Sequence, residues 1–253
     1  MKFMDLMKME FMKIRRSKII LILMIPALLV IITGMASISG YISQQPDHAW
    51  EMMFVQSSLM YGYYLMPLSL VVICTMMLQR EYGGRGIIKT LTLPINPQKV
   101  SLAKMTIILI LLFTELLLYF LLFIAAGIIT GLAAGIELAT PIGYLGIWCI
   151  KLFLSAVPMA AVFWLLCVSL VKPILTLAVS LVLILPGILI SNIPVIKLLY
   201  PFNYPGILVT EELGRLSGSF DSENMFIIPL AGVLITVIAV CISGKKFGRG
   251  AVE

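Results

Sequence analysis

Two ionisable side chains lie inside long apolar stretches of the sequence, Glu115 and Lys151. A charge near the middle of a bilayer is costly, so such a residue usually faces the interior of a helix bundle or a water-filled path. We expect Glu115 either to be hydrogen-bonded to neighbouring helices or to line a substrate path. Lys151 lies near one end of its stretch and can extend toward the interface or pair with a carboxylate across the bundle. Like Glu115, it is a candidate residue of a translocation path. Direct pairing of the two is not favoured because their depths differ.

Motifs that support catalysis are absent from the sequence. It contains neither the GxxxxGK[ST] phosphate-binding loop nor the HExxH zinc motif. The lone histidine, His48, stands in a polar stretch beside Asp47 and Glu51, where solvation is a more ordinary role than metal binding. The cysteines fall in or beside apolar segments without CxxC spacing, which favours buried thiols over disulfides or metal ligands: Cys74, Cys149, Cys167 and Cys241. We therefore expect no catalytic residue, metal site or cofactor on this chain.

Composition places the chain in a membrane. Hydrophobic residues make up 61% and charged residues 12% of the sequence, whereas soluble domains are roughly half apolar and a quarter charged. The mean hydropathy is +1.10. The formal charge of +6 comes from basic residues that flank apolar runs, so it indicates membrane topology rather than a nucleic-acid partner.

Apolar runs of bilayer-spanning length predict an all-α polytopic membrane protein that forms a single domain over residues 1–253. The first run is too long and uninterrupted for a cleaved signal peptide, so we interpret it as a retained helix. Lys172 and Pro173 predict a tight turn between the fourth and fifth segments. The six predicted transmembrane helices are residues 19–39, 59–79, 105–130, 146–171, 173–191 and 226–243.

The distribution of lysine and arginine predicts the orientation. Basic residues concentrate in the N-terminal arm, the 80–104 connection and the C-terminal tail, while the loops on the other side contain only Lys197 and Arg215. Because cytoplasmic loops carry the excess of basic residues, both termini are predicted to be cytoplasmic. The external connection of residues 192–225 is rich in aromatic residues and proline at its start, which suits the interface or a short re-entrant piece.

The arm of residues 1–18 predicts an amphipathic helix on the inner membrane surface. One side of this helix is apolar, with Phe3, Met4, Met7, Phe11 and Ile14, and the other is polar, with Lys2, Asp5, Lys13 and Arg16. A basic topology signal without helical order is the alternative.

The 80–104 connection contains a short apolar segment between breakers. Gly83, Gly84 and Gly86 precede it, and Pro94 and Pro97 end it. This pattern predicts a short helix that offers an apolar face to the cytoplasm, although an ordinary loop against the membrane fits the same residues.

Charged and turn residues of the arm and this connection resemble the permease subunits of ABC-2 type transporters. In length and span layout the chain is most similar to the permeases of lantibiotic-immunity and bacitracin-resistance exporters. It departs from the common family pattern at Ile87, where threonine is frequent. The residues that carry the resemblance are Glu10, Lys13, Arg15, Arg16, Glu81, Gly86, Lys89, Leu91, Pro94, Lys99 and Lys104.

The resemblance implies a multi-pass subunit of a bacterial cytoplasmic membrane exporter. Two ABC ATPase subunits would bind ATP and Mg²⁺, and a second permease, identical or homologous, would complete the assembly. The substrate would be an amphipathic antimicrobial peptide taken from the lipid bilayer. The positions implied to couple this chain to the ATPase are Glu81, Gly86, Ile87, Ile88, Lys89, Leu91 and Pro94.

Two other functions fit the sequence. In an ion-coupled secondary transporter, Glu115 would bind the proton or cation, and activity would not need ATP. In a membrane scaffold or sensor, function would not depend on ATP hydrolysis by a partner.

Overall fold

The computed structural model describes residues 3–15, 19–44, 49–82, 96–133, 142–216 and 227–247, and these segments contain helices and no strands. The predicted all-α class is thereby confirmed. The α-helices are α1 Phe3–Arg15, α2 Ile19–Gln44, α3 Ala49–Met60, α4 Met66–Tyr82, α5 Pro97–Ala133, α6 Ile142–Leu170, α7 Pro173–Ile184, α8 Gly187–Ser191, α9 Pro194–Leu199, α10 Tyr204–Leu216 and α11 Ile227–Lys246. A π-helix, Tyr61–Leu65, joins α3 to α4, and a 3₁₀-helix, Pro201–Asn203, precedes α10.

Four helices in the described part of the chain are long and apolar enough to cross a membrane: Met53–Glu81, Pro97–Thr130, Ile142–Leu170 and Ile227–Lys246. The other two predicted spans correspond to shorter apolar helical stretches, Leu21–Ile32 in α2 and Pro173–Ile184 in α7. Twelve residues of α-helix measure about 18 Å, which is less than the bilayer's hydrocarbon core of about 30 Å. α7 alone is therefore too short, and the chain continues as α8 only after the turn at Leu185 and Pro186.

Two residues, Val171 and Lys172, form the turn between α6 and α7, at the position where Lys172 and Pro173 predict one. Pro173 begins α7, and Lys172 before it is extended, with ψ of 115°, because proline disfavours the helical conformation in the preceding residue. Val171 adopts a φ of 60°, which costs energy for a β-branched residue. The chain thus reverses direction within two residues, and α6 and α7 pack against each other.

The predicted arm is helical, but its buried face differs from the predicted apolar side. Leu6, Glu10 and Ile14, spaced four residues apart, are buried against the bundle, and α1 packs on α5. Phe3, Met4 and Phe11 are exposed. A carboxylate therefore takes the central position on the packed face, and part of the predicted apolar side is exposed.

The segment of residues 187–216 packs onto the π-helix. Gly62 and Gly206 bring the two backbones together, since a Cβ built at Gly62 would lie 3.1 Å from the backbone nitrogen of Gly206. The Tyr63 hydroxyl lies 3.1 Å from the Thr210 hydroxyl, and the Asn203 amide donates a 2.6 Å hydrogen bond to the carbonyl of Gly187. This part of the predicted external connection is thus ordered helix held by polar contacts.

Substitution of Gly206 by alanine tests this close approach. A Cβ there would lie 2.5 Å from the Tyr63 ring, whose side chain is buried. We expect the Gly206→Ala variant to lose about 1–3 kcal/mol of unfolding free energy, the usual cost of overpacking, in denaturant titrations of the detergent-solubilised protein.

Gly146→Ala is the matched control, because a Cβ at Gly146 in α6 meets nothing within 4 Å. Alanine is favoured over glycine in a helix by up to about 1 kcal/mol, so this variant should equal or exceed the parent in stability. Equal effects of the two substitutions would contradict the packing described here.

Candidate functional site

Four charged side chains from three helices meet in one ion-pair cluster. The Nζ atom of Lys104 lies 2.7 Å from Oε2 of Glu10 and 2.7 Å from Oε1 of Glu81. The Nζ atom of Lys13 lies 2.7 Å from Oε1 of Glu10 and 3.0 Å from Oε1 of Glu81. Each ammonium thus bridges both carboxylates. We call these four residues the ion-pair cluster.

The cluster is buried unevenly. The Lys104 side chain is 1% exposed, whereas that of Lys13 is 45% exposed. Glu10 and Glu81 are buried, and Oε2 of Glu81 has no hydrogen-bond partner among the described residues. Two positive and two negative charges leave the cluster with no net charge, which a buried group of this kind requires.

Each member is held in place by the helix that carries it. Glu10 lies between Leu6 and Ile14 on the packed face of α1. Glu81 is the penultimate residue of α4, and Lys104 lies in the second turn of α5. The Arg80 guanidinium also donates a 2.8 Å hydrogen bond to the carbonyl of Lys13. The cluster therefore joins the arm to both helices that flank residues 83–95.

The Lys13 ammonium is stabilised by its neighbours. Burial lowers the pKa of Lys13, but hydrogen bonds and charge from Glu10 and then Glu81 outweigh it and raise the pKa above the ordinary value of 10.5. A raised lysine pKa adds stability that is fully present below pH 10.5 and is lost as the pH rises through the folded-state value. The Lys13 contribution is therefore constant across the physiological range.

Of the predicted coupling positions, Glu81 is described and lies in the ion-pair cluster. The others lie outside the described residues, as does His48. These other coupling positions are Gly86, Ile87, Ile88, Lys89, Leu91 and Pro94.

Glu115 is the centre of a second polar network, inside the bundle. Its side chain is fully buried and accepts hydrogen bonds of 2.8 and 2.7 Å from the Ser69 hydroxyl. The Tyr61 hydroxyl donates a third at 3.1 Å. The Tyr61 ring stacks on Tyr119 with centroids 4.8 Å apart, and the Tyr119 hydroxyl lies 3.0 Å from that of Ser58. Glu115 thus links α5 to the π-helix and α4.

Lys151 lies apart from this network. Its ammonium is 4.7 Å from the centroid of the Trp148 ring, an arrangement that gives a favourable cation–π interaction. No ion pair joins it to Glu115 among the described residues. The cysteines are free thiols; Cys74 and Cys167 are buried, while Cys241 is exposed on α11, contrary to the expectation that all are buried.

Sequence reasoning found the charged residues of the cluster only through the family resemblance and did not predict that they meet. In the sequence, Lys104 was interpreted as one of the basic residues that set the membrane orientation of the following apolar span. A usable signal was present in α1, where Glu10 is in register with Leu6 and Ile14 at i±4 and so shares their buried face. The hydroxyl partners of Glu115 carry no sequence signal, because serine and tyrosine occur at many positions in membrane helices.

Removal of the Lys104 charge should be strongly destabilising. The Lys104→Met variant leaves two buried carboxylates with only the half-exposed Lys13, and breaking a buried pair in this way costs about 3–5 kcal/mol. The Lys13→Met variant should cost less, because Lys13 is 45% exposed and Lys104 still pairs with both carboxylates. Denaturant titration in detergent measures both.

Lys245→Met is the control, since this exposed lysine lies at the same end of the bundle, where Gly244 approaches Gln98. It should leave the unfolding free energy within experimental error of the parent. If Lys104→Met were no more harmful than Lys13→Met, the cluster would not be a buried, charge-balanced unit.

Comparison with known proteins identifies the family. The family model described as ABC-2 family transporter protein matches residues 6–187, which is more than half of the chain and includes all four residues of the ion-pair cluster. No curated protein and no solved structure matches the chain. ABC-2 permeases are the transmembrane components of ABC transporters and are distinct from the ATPase subunits with which they act. The chain therefore belongs to the ABC-2 transporter family.

Proposed function

We propose that this chain is the permease subunit of an ATP-driven exporter and that the ion-pair cluster transmits force from its ATPase partner. In this account, residues 83–95 contain the helix that docks on the ATPase. Closure of the ATPase pair displaces that helix and shifts the bundle between inward-facing and outward-facing states.

The observation that carries the proposal is the position of Glu81 and Lys104. Glu81 lies immediately before residues 83–95, and Lys104 lies shortly after them. The two side chains are joined at 2.7 Å and share the buried site with Glu10 of the arm. A displacement of the docking segment would thus reach α1, α4 and α5 through contacts that cannot separate without leaving a buried charge unpaired.

The proposal includes six spans with both termini in the cytoplasm. α2 is 26 residues long, enough for about 39 Å of helix, and α7 with α8 supplies the fifth crossing. The exposed Phe3, Met4 and Phe11 of α1 suit an arm that lies on the inner membrane surface.

The proposed assembly contains two permease chains, identical or homologous, and two ATPase subunits. We propose a bacterial cell membrane as its location and an amphipathic antimicrobial peptide, of the lantibiotic kind, as its substrate. The substrate rests on the resemblance to immunity and resistance permeases, whereas the coupling role rests on the geometry of the cluster.

Two substitutions separate docking from transmission. Leu91→Glu places a charge on the predicted docking face and should prevent co-purification of the ATPase. Glu81→Gln removes a buried charge from the ion-pair cluster. It should retain the ATPase but reduce permease-stimulated ATP hydrolysis in proteoliposomes by at least about tenfold, which corresponds to about 1.4 kcal/mol of lost coupling.

Lys245→Met again serves as the control and should match the parent in both assays. If complex formation and stimulated hydrolysis both survive Leu91→Glu and Glu81→Gln, the coupling proposal is wrong.

The ion-coupled alternative is tested at Glu115. The hydroxyl groups of Tyr61 and Ser69 both lie within hydrogen-bond distance of Oε1 of Glu115, and an amide oxygen at that position can accept from both donors. We therefore expect Glu115→Gln to preserve ATP-dependent export, measured as survival of cells exposed to a lantibiotic. Glu115→Ala removes the acceptor of the Tyr61 hydroxyl, whereas the Ser69 hydroxyl keeps the Met66 carbonyl as an acceptor, and the unsatisfied tyrosine should cost about 1–3 kcal/mol of stability. Export that persists with a hydrolysis-dead ATPase, yet is abolished by Glu115→Gln, would favour an ion-coupled transporter.

A further inference from the structure

A groove lies between α6 and α11, and residues of α10 also line it. Its volume is about 490 Å³, within the range of about 300–1,000 Å³ that is usual for small-molecule sites. The lining is mostly apolar, with Leu154, Val157 and Pro158 on α6 and Ile228, Val233 and Val237 on α11. We call this cavity the α6–α11 groove.

The groove exists because small and cyclic residues face each other across the two helices. Gly232 has no side chain, and a Cβ there would lie 3.0 Å from Pro158, so the helices approach closely at its floor. Pro158 has no N–H, so the carbonyl of Leu154, which lines the groove, loses its helical hydrogen bond.

The groove lies in the half of the bundle opposite the ion-pair cluster. The C-terminal end of α11 is near α5's start, since Gly244 approaches Gln98, and Lys246 bonds to Ser169 near the end of α6. The groove residues of α6 and α11 lie at positions 151–158 and 228–237, most of them in the first half of each helix. With the orientation proposed above, this half is the outer leaflet.

Lys151 marks the depth of the groove mouth. It precedes Lys172 by 21 positions, about 30 Å along a helix, which matches the thickness of the hydrocarbon core. With Lys172 at one membrane face, Lys151 and the adjacent Trp148 lie at the level of the lipid head groups on the other face. The groove extends from that level into the hydrocarbon.

Two charged side chains line the groove together with its apolar residues: Lys151 on α6 and Glu211 on α10. A lysine ammonium attracts phosphate, and a carboxylate attracts an ammonium group. An apolar cleft beside one charge of each sign is complementary to a lipid with a zwitterionic head group. A cationic amphipathic peptide would instead bring positive charge toward Lys151.

We propose that the α6–α11 groove binds one zwitterionic phospholipid. One acyl chain fills the apolar cleft, the phosphate pairs with Lys151, and the head-group ammonium lies toward Glu211. This site is separate from the coupling role of the ion-pair cluster and does not depend on it.

Native mass spectrometry of the full-length chain tests the proposal. The protein is purified in detergent and offered phosphatidylethanolamine, phosphatidylglycerol or diacylglycerol of equal chain length. We expect one phosphatidylethanolamine per chain, held at least about tenfold more tightly than diacylglycerol, as one charge-assisted contact allows. Phosphatidylglycerol, which lacks the ammonium group, should bind more weakly than phosphatidylethanolamine.

Matched variants locate the lipid. Ser155→Phe fills the groove and should abolish retention, whereas Leu234→Phe, at an exposed α11 position outside the groove, should not. Lys151→Met should weaken phosphatidylethanolamine binding by removing the phosphate contact, and Lys151→Arg should restore it. Unchanged retention in both Ser155→Phe and Lys151→Met, equal binding of the three lipids, or stronger binding of a cationic amphipathic peptide would overturn the proposal.

Discussion

A lysine that is almost wholly withdrawn from solvent must have its charge neutralised, and the position of Lys104 imposes this requirement on three helices at once. Its ammonium needs Glu10 from α1 and Glu81 from α4. Burial of any one of these charges without the others would cost several kcal/mol. The arm, the end of α4 and the start of α5 are therefore held as one unit.

The same helix, α5, carries the second polar network. Glu115 follows Lys104 by eleven positions, or about 16 Å along the axis, which is near half the thickness of the hydrocarbon core. Tyr61 and Ser69 bond to it from the π-helix and α4. α4 and α5 are thus tied at two depths, by an ion pair at one end and by hydroxyl groups near the centre. Because contacts at two depths oppose sliding of α4 along α5, the two helices are suited to move together and to transmit motion.

The sequence predicts the features that depend on interactions between residues close together in the chain. Hydropathy predicts the helices, and Lys172 with Pro173 predicts the turn between α6 and α7. Six spans were predicted, whereas four described helices have the length and composition to span. The turn at Leu185 and Pro186 interrupts the fifth predicted span, and the described apolar stretch of the first, Leu21–Ile32, is also short. The periodicity of the arm predicts a helix, but hydropathy alone misplaces its packed face, because it counts the charged Glu10 against burial despite its register with Leu6 and Ile14.

The remaining features depend on partners far apart in the sequence. Glu10 and Lys104 are separated by 94 residues, and local pattern cannot pair them. The α6–α11 groove arises from Gly232 opposite Pro158, a match that only the folded bundle creates. Family likeness supplied the relevant charged residues for the cluster, and the geometry supplied a physical reason for their presence.

The most direct test of the coupling account is a double-mutant cycle between Glu81 and Lys104, read out as permease-stimulated ATP hydrolysis in proteoliposomes. The cycle compares Glu81→Gln, Lys104→Met and the combined variant with the parent. If the contact transmits force, the two effects should be non-additive by about 0.5–3 kcal/mol, as for residues in direct contact. Effects that add within about 0.5 kcal/mol would show that the two residues act independently, and would contradict the account.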